Sequence, residues 1–460
     1  MTDSARPLAV LVAVRLPDVD SESADASLDE LTRLVTTLGY RVVTRIVQPR
    51  ENLAPAAVLG EGKLRELAKL TGGSGRTAPI IPGRRRTDDD EADDDASRPR
   101  WPLADFEDEA PAEPPEPIAL VAVDHDISPS QLRNLERATG VTVLDRTGVI
   151  IEIFHRHARS REARLQVEIA RLNYEAPRLR ESPKGKERQA GRGAGEAALE
   201  LDRRKIRDRI AELRRELAAV EREQNVRRKH RSGARRVALV GYTNAGKSSL
   251  MRALTSSDVY VEDKLFATLD TTVRALQPEA KPRILISDTV GFIKKLPHDL
   301  VASFKSTLDE ALEASLLLHV VDAADAGFRE QLEVTRDVLH EIGAVQVPSR
   351  LVMNKVDALS PERLAELQNE YPSAWFISAK FPADVAAVRA RIIEFFESRY
   401  AEAELSIPYS EQRLVSEMHE QGRVVAERYD DDGVTVTFRG DPEVVEAFRV
   451  RLARSAATSG

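Results

Sequence analysis

The stretch RRVALVGYTNAGKSSL, residues 235–250, constrains the fold of this chain more than any other. Four apolar residues precede the spacing G-x-x-x-x-G-K-S, and a helix-forming run follows it. This order of strand, glycine turn and helix lets backbone N–H groups and a helix N-terminus surround a phosphate. In such a loop, Lys247 would reach the β- and γ-phosphates and the hydroxyl of Ser248 would hold a magnesium ion.

Two later strands are predicted to end at the same edge of a parallel sheet, which is where α/β proteins bind ligands. ILISDTVG (284–291) would bring Asp288 to the magnesium ion and Gly291 to the γ-phosphate. RLVMNKVD (350–357) would bring Asp357, whose carboxylate can accept hydrogen bonds from N1–H and the 2-amino group of guanine. Because adenine does not offer both donors, the pattern favours a guanine nucleotide.

Asn354, Lys355 and the strand end FISAK (376–380) complete the predicted guanine pocket. Asn354 suits the other edge of the base, and the stem of Lys355 can lie across its face. A backbone N–H of FISAK can reach guanine O6, since the residues there are small. Four segments in this order predict an enzyme that hydrolyses GTP to GDP.

The stretch DKLFATLDTT (263–272) lies between the phosphate loop and Asp288 along the chain. One threonine in such a loop ligates magnesium only when the γ-phosphate is present, which makes the loop an order–disorder switch. We choose Thr268 as that ligand, with Thr271 and Thr272 as its rivals. Mg²⁺ is accordingly the predicted cofactor.

The predicted site residues fall into three groups by role. The catalytic residues are Lys247, Thr268 and Gly291. The magnesium ligands are Ser248 and Thr268. The nucleotide-binding residues are Gly241, Asn244, Ala245, Gly246, Lys247, Ser248, Ser249, Phe266, Ala267, Thr268, Leu269, Asp270, Asp288, Thr289, Val290, Gly291, Asn354, Lys355, Asp357, Ser378, Ala379 and Lys380.

Cysteine is absent from the 460 residues, which excludes disulfides, thiol catalysis and cysteine-ligated zinc. This fits a cytoplasmic protein, and no apolar run is long enough to predict a membrane span. The net charge of −8 is concentrated in residues 71–117, an acidic and proline-rich stretch. Such a composition cannot bury a core, so we predict a disordered insertion there.

Residues 1–157, apart from this insertion, are predicted to form a small parallel α/β domain. The predicted strands are 9–16, 40–48, 118–124 and 141–154, and the predicted helices are 27–39, 62–70 and 128–140. The stretch GEGK (60–63) has two readings, a turn that caps a helix or part of a second nucleotide site. His155 and His157 fall in a predicted strand end, where solvated or RNA-facing side chains are favoured over metal ligands.

Residues 158–232 change in character, because apolar residues recur there at intervals of three and four. The first stripe consists of Leu165, Ile169, Leu172 and Ala176, and the second of Ile206, Ile210, Leu213, Leu217 and Val220. A basic, glycine-rich loop (182–196) separates the stripes, which predicts an antiparallel helical hairpin. Residues 203–236 are rich in Lys and Arg, and two interpretations remain open: a solvated helix surface, or an arm that binds structured RNA.

The C-terminal part of the chain is predicted to hold two domains, with a small module after Pro408. Residues 233–399 alternate strands and helices and hold the predicted GTP site. Residues 403–454 are predicted to form a small α+β domain. Its elements are a helix at 411–422, a strand pair in RVVAERYDDDGVTVTFRG and a final helix from Asp441.

These residues resemble the HflX family of ribosome-associated GTPases. The resemblance is carried by LGEGKLREL, SPSQLRNLE, DRTGVIIEIF, LQVEIARLNY, ELDRRKIRDRI, GYTNAGKS, LFATLD, DTVGFI and IPYSE. It implies a multidomain α/β fold: an N-terminal α/β domain, an antiparallel helical hairpin, a P-loop GTPase domain and a small α+β C-terminal domain. In two places the sequence departs from the family, namely the insertion at 71–117 and GAGEAALE (193–200), where the family has GPGETQLE.

The resemblance further implies a partner and a role. The partner is the large ribosomal subunit, contacted through ribosomal RNA, and no DNA partner is expected. The role is to split or recycle stalled or idle ribosomes under stress. The alternatives are an anti-association or assembly factor in which GTP binding does the work, and a GTPase that acts on another structured RNA.

Phe292 follows Gly291, where many signalling GTPases carry a glutamine that orients the attacking water. Because a phenyl ring cannot do so, we expect slow intrinsic turnover. One hypothesis is that ribosome binding orders residues 263–272 and 292–297 and so completes the site. A second is that Asn244 helps to hold K⁺ beside the phosphates, where its charge acts as an arginine finger does. The alternative role for Asn244 is a loop-capping amide.

Overall fold

The computed structural model describes residues 6–77, 117–178, 193–229, 235–256, 265–266, 272–294 and 310–458. The chain divides into two compact units, of which the first consists of Met1–Glu152 and Pro177–Lys184. The second consists of Ile153–Ala176 and Gly185–Gly460. Most of the predicted insertion, residues 78–116, lies outside the described residues. None of the described helices is long and apolar enough to cross a membrane.

The first unit is built on a parallel sheet. Its elements are β1 (Leu8–Arg15), α1 (Ser21–Thr37), β2 (Arg41–Pro49), α2 (Glu61–Thr71), β3 (Ile118–Val123), α3 (Pro129–Thr139) and β4 (Thr142–Asp145). In the described part of this unit the strand order is β2-β1-β3-β4. The apolar run of β1 is buried along almost its whole length, as a central parallel strand covered on both faces requires.

The helices of the first unit start where the sequence supplies N-caps. The side chain of Asp20 accepts a hydrogen bond from the backbone of Ser23, which starts α1 ahead of the predicted residue 27. Ser128 and Gln131 form a reciprocal capping box at the start of α3. The stretch GEGK lies at the start of α2, where Gly60 is the N-cap.

The strand predicted over 141–154 is wrong beyond its first residues. The chain leaves β4 at Asp145 and forms helix α4, Arg146–His157. The carboxylate of Asp145 accepts a hydrogen bond from the backbone N–H of Gly148 at 2.7 Å and so caps the new helix. The many β-branched residues of this stretch favour a strand, but burial of the helix on most of its sides outweighs that propensity. His155 and His157 therefore lie at a helix end.

The second unit begins with the end of α4, which is followed by the predicted hairpin. Helices α5 (Arg161–Glu175) and α6 (Gly193–Lys229) pack through Leu165, Ile169, Ile210 and Leu213, with Leu172, Ile206, Leu217 and Val220 around them. The ion pair between Arg161 and Glu216, at 3.6 Å, joins the start of α5 to the second half of the described part of α6, so the helices are antiparallel. Residues 193–196, expected in the loop, belong to α6; residues 179–192 lie outside the described part.

A second sheet carries the predicted GTP site. Its elements are β5 (Arg235–Val240), α7 (Lys247–Thr255), β6 (Thr272–Ala275), β7 (Ile284–Asp288), β8 (Leu316–Asp322), α8 (Phe328–Glu341), β9 (Ser349–Asn354), α9 (Pro361–Glu370), β10 (Trp375–Phe376) and α10 (Pro382–Glu397). Among the described residues the strand order is β10-β9-β8-β5-β7-β6, with only β6 antiparallel to its neighbour. The carboxyl ends of β5, β7, β8, β9 and β10 therefore meet at one edge.

A third sheet follows, with one strand more than the sequence predicted. Its elements are β11 (Ala401–Pro408), α11 (Arg413–Gln421), β12 (Gly422–Asp430), β13 (Gly433–Gly440) and α12 (Pro442–Thr458). The strands are antiparallel in the order β11-β13-β12 wherever the chain is described. In β11, Ala403, Leu405 and Ile407 are buried and alternate with exposed residues, a period-two pattern that the prediction overlooked.

Candidate GTP-binding site

The phosphate loop connects β5 to α7 and depends on two glycines. Gly241 has φ +146°, and a Cβ there would lie 2.1 Å from the carbonyl oxygen of Val320. Gly246 has φ +94°, and a Cβ there would lie 2.2 Å from Nδ2 of Asn354. Both positions exclude other residues by conformation and by space. The loop therefore keeps its backbone close to the neighbouring strand ends and leads into the N-terminus of α7.

Lys247 is buried at the first position of α7. Its Nζ donates to the carbonyl oxygens of Gly241 at 3.0 Å and Tyr242 at 2.8 Å. Burial lowers the pKa of Lys247 to about 8, and the charge of Asp288 opposes this shift. A phosphate placed beside Nζ would stabilise the ammonium form.

Of the two predicted magnesium ligands, Ser248 lies within the described residues, beside Asp288. Ser248 Oγ donates to Oδ2 of Asp288 at 2.6 Å, and this carboxylate is fully buried at the end of β7. A hydroxyl and a carboxylate are oxygen donors that suit Mg²⁺, which completes its shell with phosphate oxygens and water. Thr268 lies outside the described residues, as does its rival Thr271. The other rival, Thr272, begins β6 and pairs in register with Asp288.

The segment after β7 lies against the phosphate loop. A Cβ on Gly291 would be 2.7 Å from the Cα of Thr243 and 3.0 Å from Nζ of Lys247. The backbone of Phe292 donates to the oxygen of Gly241 at 3.2 Å, and its carbonyl accepts from Thr243 at 2.8 Å. The ring of Phe292 is buried in the core, so this side chain is held away from any attacking water. Thr289 and Val290 are also buried, and the hydroxyl of Thr289 donates to Leu239.

The predicted guanine pocket is held together by Asn354 and Asp357. Nδ2 of Asn354 donates to the carbonyl oxygen of Ala245 at 2.9 Å, and Oδ1 accepts from the N–H of Ala379 at 3.0 Å. Asn354 thus joins the phosphate loop to the FISAK segment, and both ends of its amide are used within the protein. Each end of the amide keeps a further N–H or lone pair, so the contact of Asn354 with the edge of the base stays a prediction.

Asp357 accepts from the hydroxyl of Ser378 at 2.8 Å and pairs with Nζ of Lys380 at 2.7 Å. The hydrogen bonds from Lys380 and Ser378 lower its pKa, which keeps the carboxylate ionised. Lys355 has φ +63°, and its Nζ pairs with Asp322 at 2.7 Å. The sequence did not indicate Asp322, because a single aspartate at a strand end has many other uses.

The remaining predicted residues lie around the loop or outside the described part. Asn244 is half-buried with φ +60°, a conformation that asparagine tolerates in loops. Ser249 is half-buried in α7, whereas Ala267, Leu269 and Asp270 lie outside the described residues. Phe266 is buried, and its N–H donates to Oγ1 of Thr243 at 3.0 Å. Thr243 was not predicted, because it occupies a variable position of the loop motif.

The parallel sheet brings three features to one edge: a phosphate loop, a Ser–Asp pair that suits magnesium, and an Asn–Lys–Asp segment that suits guanine. This combination defines the class of P-loop GTPases. Three sequence families match the chain: "GTP-binding GTPase N-terminal" over residues 25–81 and 110–155, "GTP-binding GTPase Middle Region" over 157–231, and "50S ribosome-binding GTPase" over 236–355.

The chain is 58% identical over 451 residues to GTPase HflX of Gluconacetobacter diazotrophicus, and the alignment covers 97% of this chain and 98% of that protein. It is 36% identical over 414 residues to GTPase HflX of Escherichia coli, covering 88% and 87%. A crystal structure of an SsGBP–GDP complex is similar at a TM-score of 0.44 and 22% identity, covering 85% of this chain and 98% of that one. The chain belongs to the HflX family of GTPases, which confirms the resemblance and the expected hydrolysis of GTP.

Proposed function

We propose that this GTPase binds the large ribosomal subunit and separates stalled or idle ribosomes under stress. The observation that carries the proposal is the match of residues 236–355 to a family described as 50S ribosome-binding GTPase. It occurs together with a relative that is 58% identical over almost the whole chain. A ribosomal partner would also place the protein in the cytoplasm.

The described part of the hairpin supports RNA binding less strongly than the Lys and Arg content of residues 203–236 suggests. Along α6, basic side chains pair with acids of the same helix, namely Lys205 with Asp202, Arg207 with Glu200 and Arg209 with Glu212. Such a surface is close to charge balance and matches the solvated-helix interpretation. The excess of Lys and Arg lies further along, in residues 226–236, where the described structure is incomplete. We therefore propose that ribosomal RNA is contacted through residues 226–236.

The proposal divides the chain into four parts with separate tasks. Residues 1–157 and 158–232 would contact the ribosome, 233–399 would bind and hydrolyse GTP, and 403–454 would form an accessory domain. Within 233–399, Ser248, Asp288 and Thr268 are the proposed environment of Mg²⁺. As a second, separate proposal, Asn244 of the phosphate loop would help to hold K⁺ beside the β- and γ-phosphates.

Density-gradient sedimentation of intact ribosomes tests the proposal. We expect the purified protein with GTP to convert ribosomes into free subunits, whereas GDP leaves them associated. If the two subunits stay associated in the presence of GTP and saturating protein, the proposed role is contradicted.

The same gradient separates the alternative function. If a non-hydrolysable GTP analogue splits ribosomes as completely as GTP does, binding does the work and hydrolysis only releases the factor. The buried ring of Phe292 does not separate the two functions, because slow turnover by the protein alone is expected under both.

A further inference from the structure

The helix that precedes the hairpin places an aromatic ring against the nucleotide site. Phe154, in the part of α4 that belongs to the second unit, lies with its ring centroid 4.5 Å from that of Phe266, at an interplanar angle of 60°. Both rings are almost completely buried, at 0% and 2% exposed. The pair therefore forms a packed contact in the interior of this unit.

Phe266 needs such support because of its backbone. Its φ of +58° falls in the left-handed region, which is uncommon for a bulky residue and persists only where the surroundings enforce it. In this conformation its N–H points to Oγ1 of Thr243, at 3.0 Å. Packing on Phe154 is the described aromatic contact that holds this strained residue in place.

Thr243 extends the connection to the segment after β7. Its own N–H donates to the carbonyl oxygen of Phe292 at 2.8 Å, and its Cα lies against Gly291. Phe154, Phe266, Thr243 and the Gly291–Phe292 segment are therefore linked by direct contacts. Gly291 is the residue proposed to meet the γ-phosphate.

We propose that Phe154 is a positioning residue that sets the preference of this GTPase for GTP over GDP. The Gly291–Phe292 segment, already held beside the phosphate loop, loses less conformational entropy when it contacts a γ-phosphate. GDP has no γ-phosphate and does not use them, so its affinity is independent of Phe154. The inference rests on the proposed role of Gly291. It also makes α4, which leads directly into α5 of the hairpin, sensitive to the bound nucleotide.

The test measures the dissociation constants of fluorescent GDP and of a fluorescent non-hydrolysable GTP analogue. For Phe154→Ala we expect the affinity for the GTP analogue to fall about five- to tenfold and that for GDP to change less than twofold. Phe154→Leu, which keeps an apolar side chain, should recover part of the loss. It also replaces Phe154→Ala if that variant does not fold.

Two further variants show whether the contact itself is responsible. Phe266→Ala should reproduce the change in preference, and the double variant Phe154→Ala/Phe266→Ala should be no worse than either single variant. Phe448→Leu is the matched control: Phe448 is buried against Phe438 in the C-terminal sheet domain, at 5.5 Å, and should leave both affinities unchanged.

Three outcomes would overturn the proposal: equal losses of GDP and GTP-analogue affinity, additive losses in the double variant, or a lower unfolding temperature without any change in preference. Gly291→Ala tests separately the assumption that Gly291 contacts the γ-phosphate. If Gly291→Ala keeps the wild-type preference for the GTP analogue, the assignment of the γ-phosphate contact is wrong. If Gly291→Ala loses the preference and the Phe154 variants keep it, only the role of Phe154 is wrong.

Discussion

At the scale of single residues, the protonation of Lys247 makes nucleotide binding depend on pH. Its pKa of about 8 lies below the ordinary 10.5, because burial disfavours the ammonium form. A bound phosphate favours that form, so binding near pH 8 should take up a proton. We predict that the affinity for GDP falls about fourfold between about pH 7 and about pH 8.5, as the fraction of protonated Lys247 falls.

Isothermal titration in two buffers with different heats of ionisation measures both the affinity and the proton uptake. An affinity that is constant over this range, without proton uptake, would contradict the prediction. The same pKa has the opposite effect on the protein without nucleotide. The folded state binds fewer protons than the unfolded chain between about pH 8 and 10.5, so this group contributes more favourably to stability as the pH rises through that window.

Asp357 should decide the choice of base. Its carboxylate is kept ionised by Lys380 and Ser378 and can accept two hydrogen bonds from guanine. Asp357→Asn replaces one acceptor by a donor, which opposes the 2-amino group of guanine but suits the 2-oxo group of xanthine. Since each charge-assisted hydrogen bond contributes about 1.5–3 kcal/mol, we predict a loss of GTP affinity of about 100-fold and a gain for XTP.

Competition of GTP and XTP against fluorescent GDP measures this change. Asp384→Asn is a useful comparison, because Asp384 accepts from the backbone of Ser378 and so supports the same segment indirectly. It should weaken GTP without creating XTP binding. Unaltered base preference in Asp357→Asn would show that another residue reads the base.

At the scale of elements, the hairpin offers a matched pair of leucines on one helix. Leu213 is 2% exposed and packs between α5 and α6, whereas Leu201 is 53% exposed on α6. We predict that Leu213→Ala destabilises the hairpin by about 2–4 kcal/mol and that Leu201→Ala changes its stability by less than about 0.5 kcal/mol.

Limited proteolysis measures the opening of the hairpin directly. Leu213→Ala should be cut within α5 and α6 much faster than the wild type, while basal GTP turnover stays the same. Equal rates of cutting for both leucine variants would show that this cluster does not hold the hairpin together.

The elements also show what sequence patterns can predict. Apolar stripes at intervals of three and four predicted α5 and α6, because the hairpin packs by the same local rule along its length. The phosphate loop was equally predictable, since steric limits require glycine at the positions where the motif has it. By contrast, the helix at α4 was read as a strand, because β-branched residues in a buried helix resemble a buried strand. Contacts such as Thr243 with Phe266 join segments far apart in sequence and had no local signal.

At the scale of the whole molecule, two features of the described structure lead us to predict slow turnover by the protein alone. The ring of Phe292 is buried in the core beneath the phosphate loop, and its backbone is bonded to Gly241 and Thr243. No side chain at this position can therefore orient the attacking water. We propose that the ribosome supplies the missing contribution, a proposal supported by the match of residues 236–355 to a family described as 50S ribosome-binding GTPase.

The most direct measurement is steady-state GTP turnover with and without purified large ribosomal subunits, with ATP as the control nucleotide. We predict slow turnover by the protein alone, stimulation by at least about tenfold on the large subunit, and no hydrolysis of ATP in either case. Turnover that is equally slow with saturating large subunits, despite tight GTP binding, would contradict the account, because the ribosome would then not supply what Phe292 cannot.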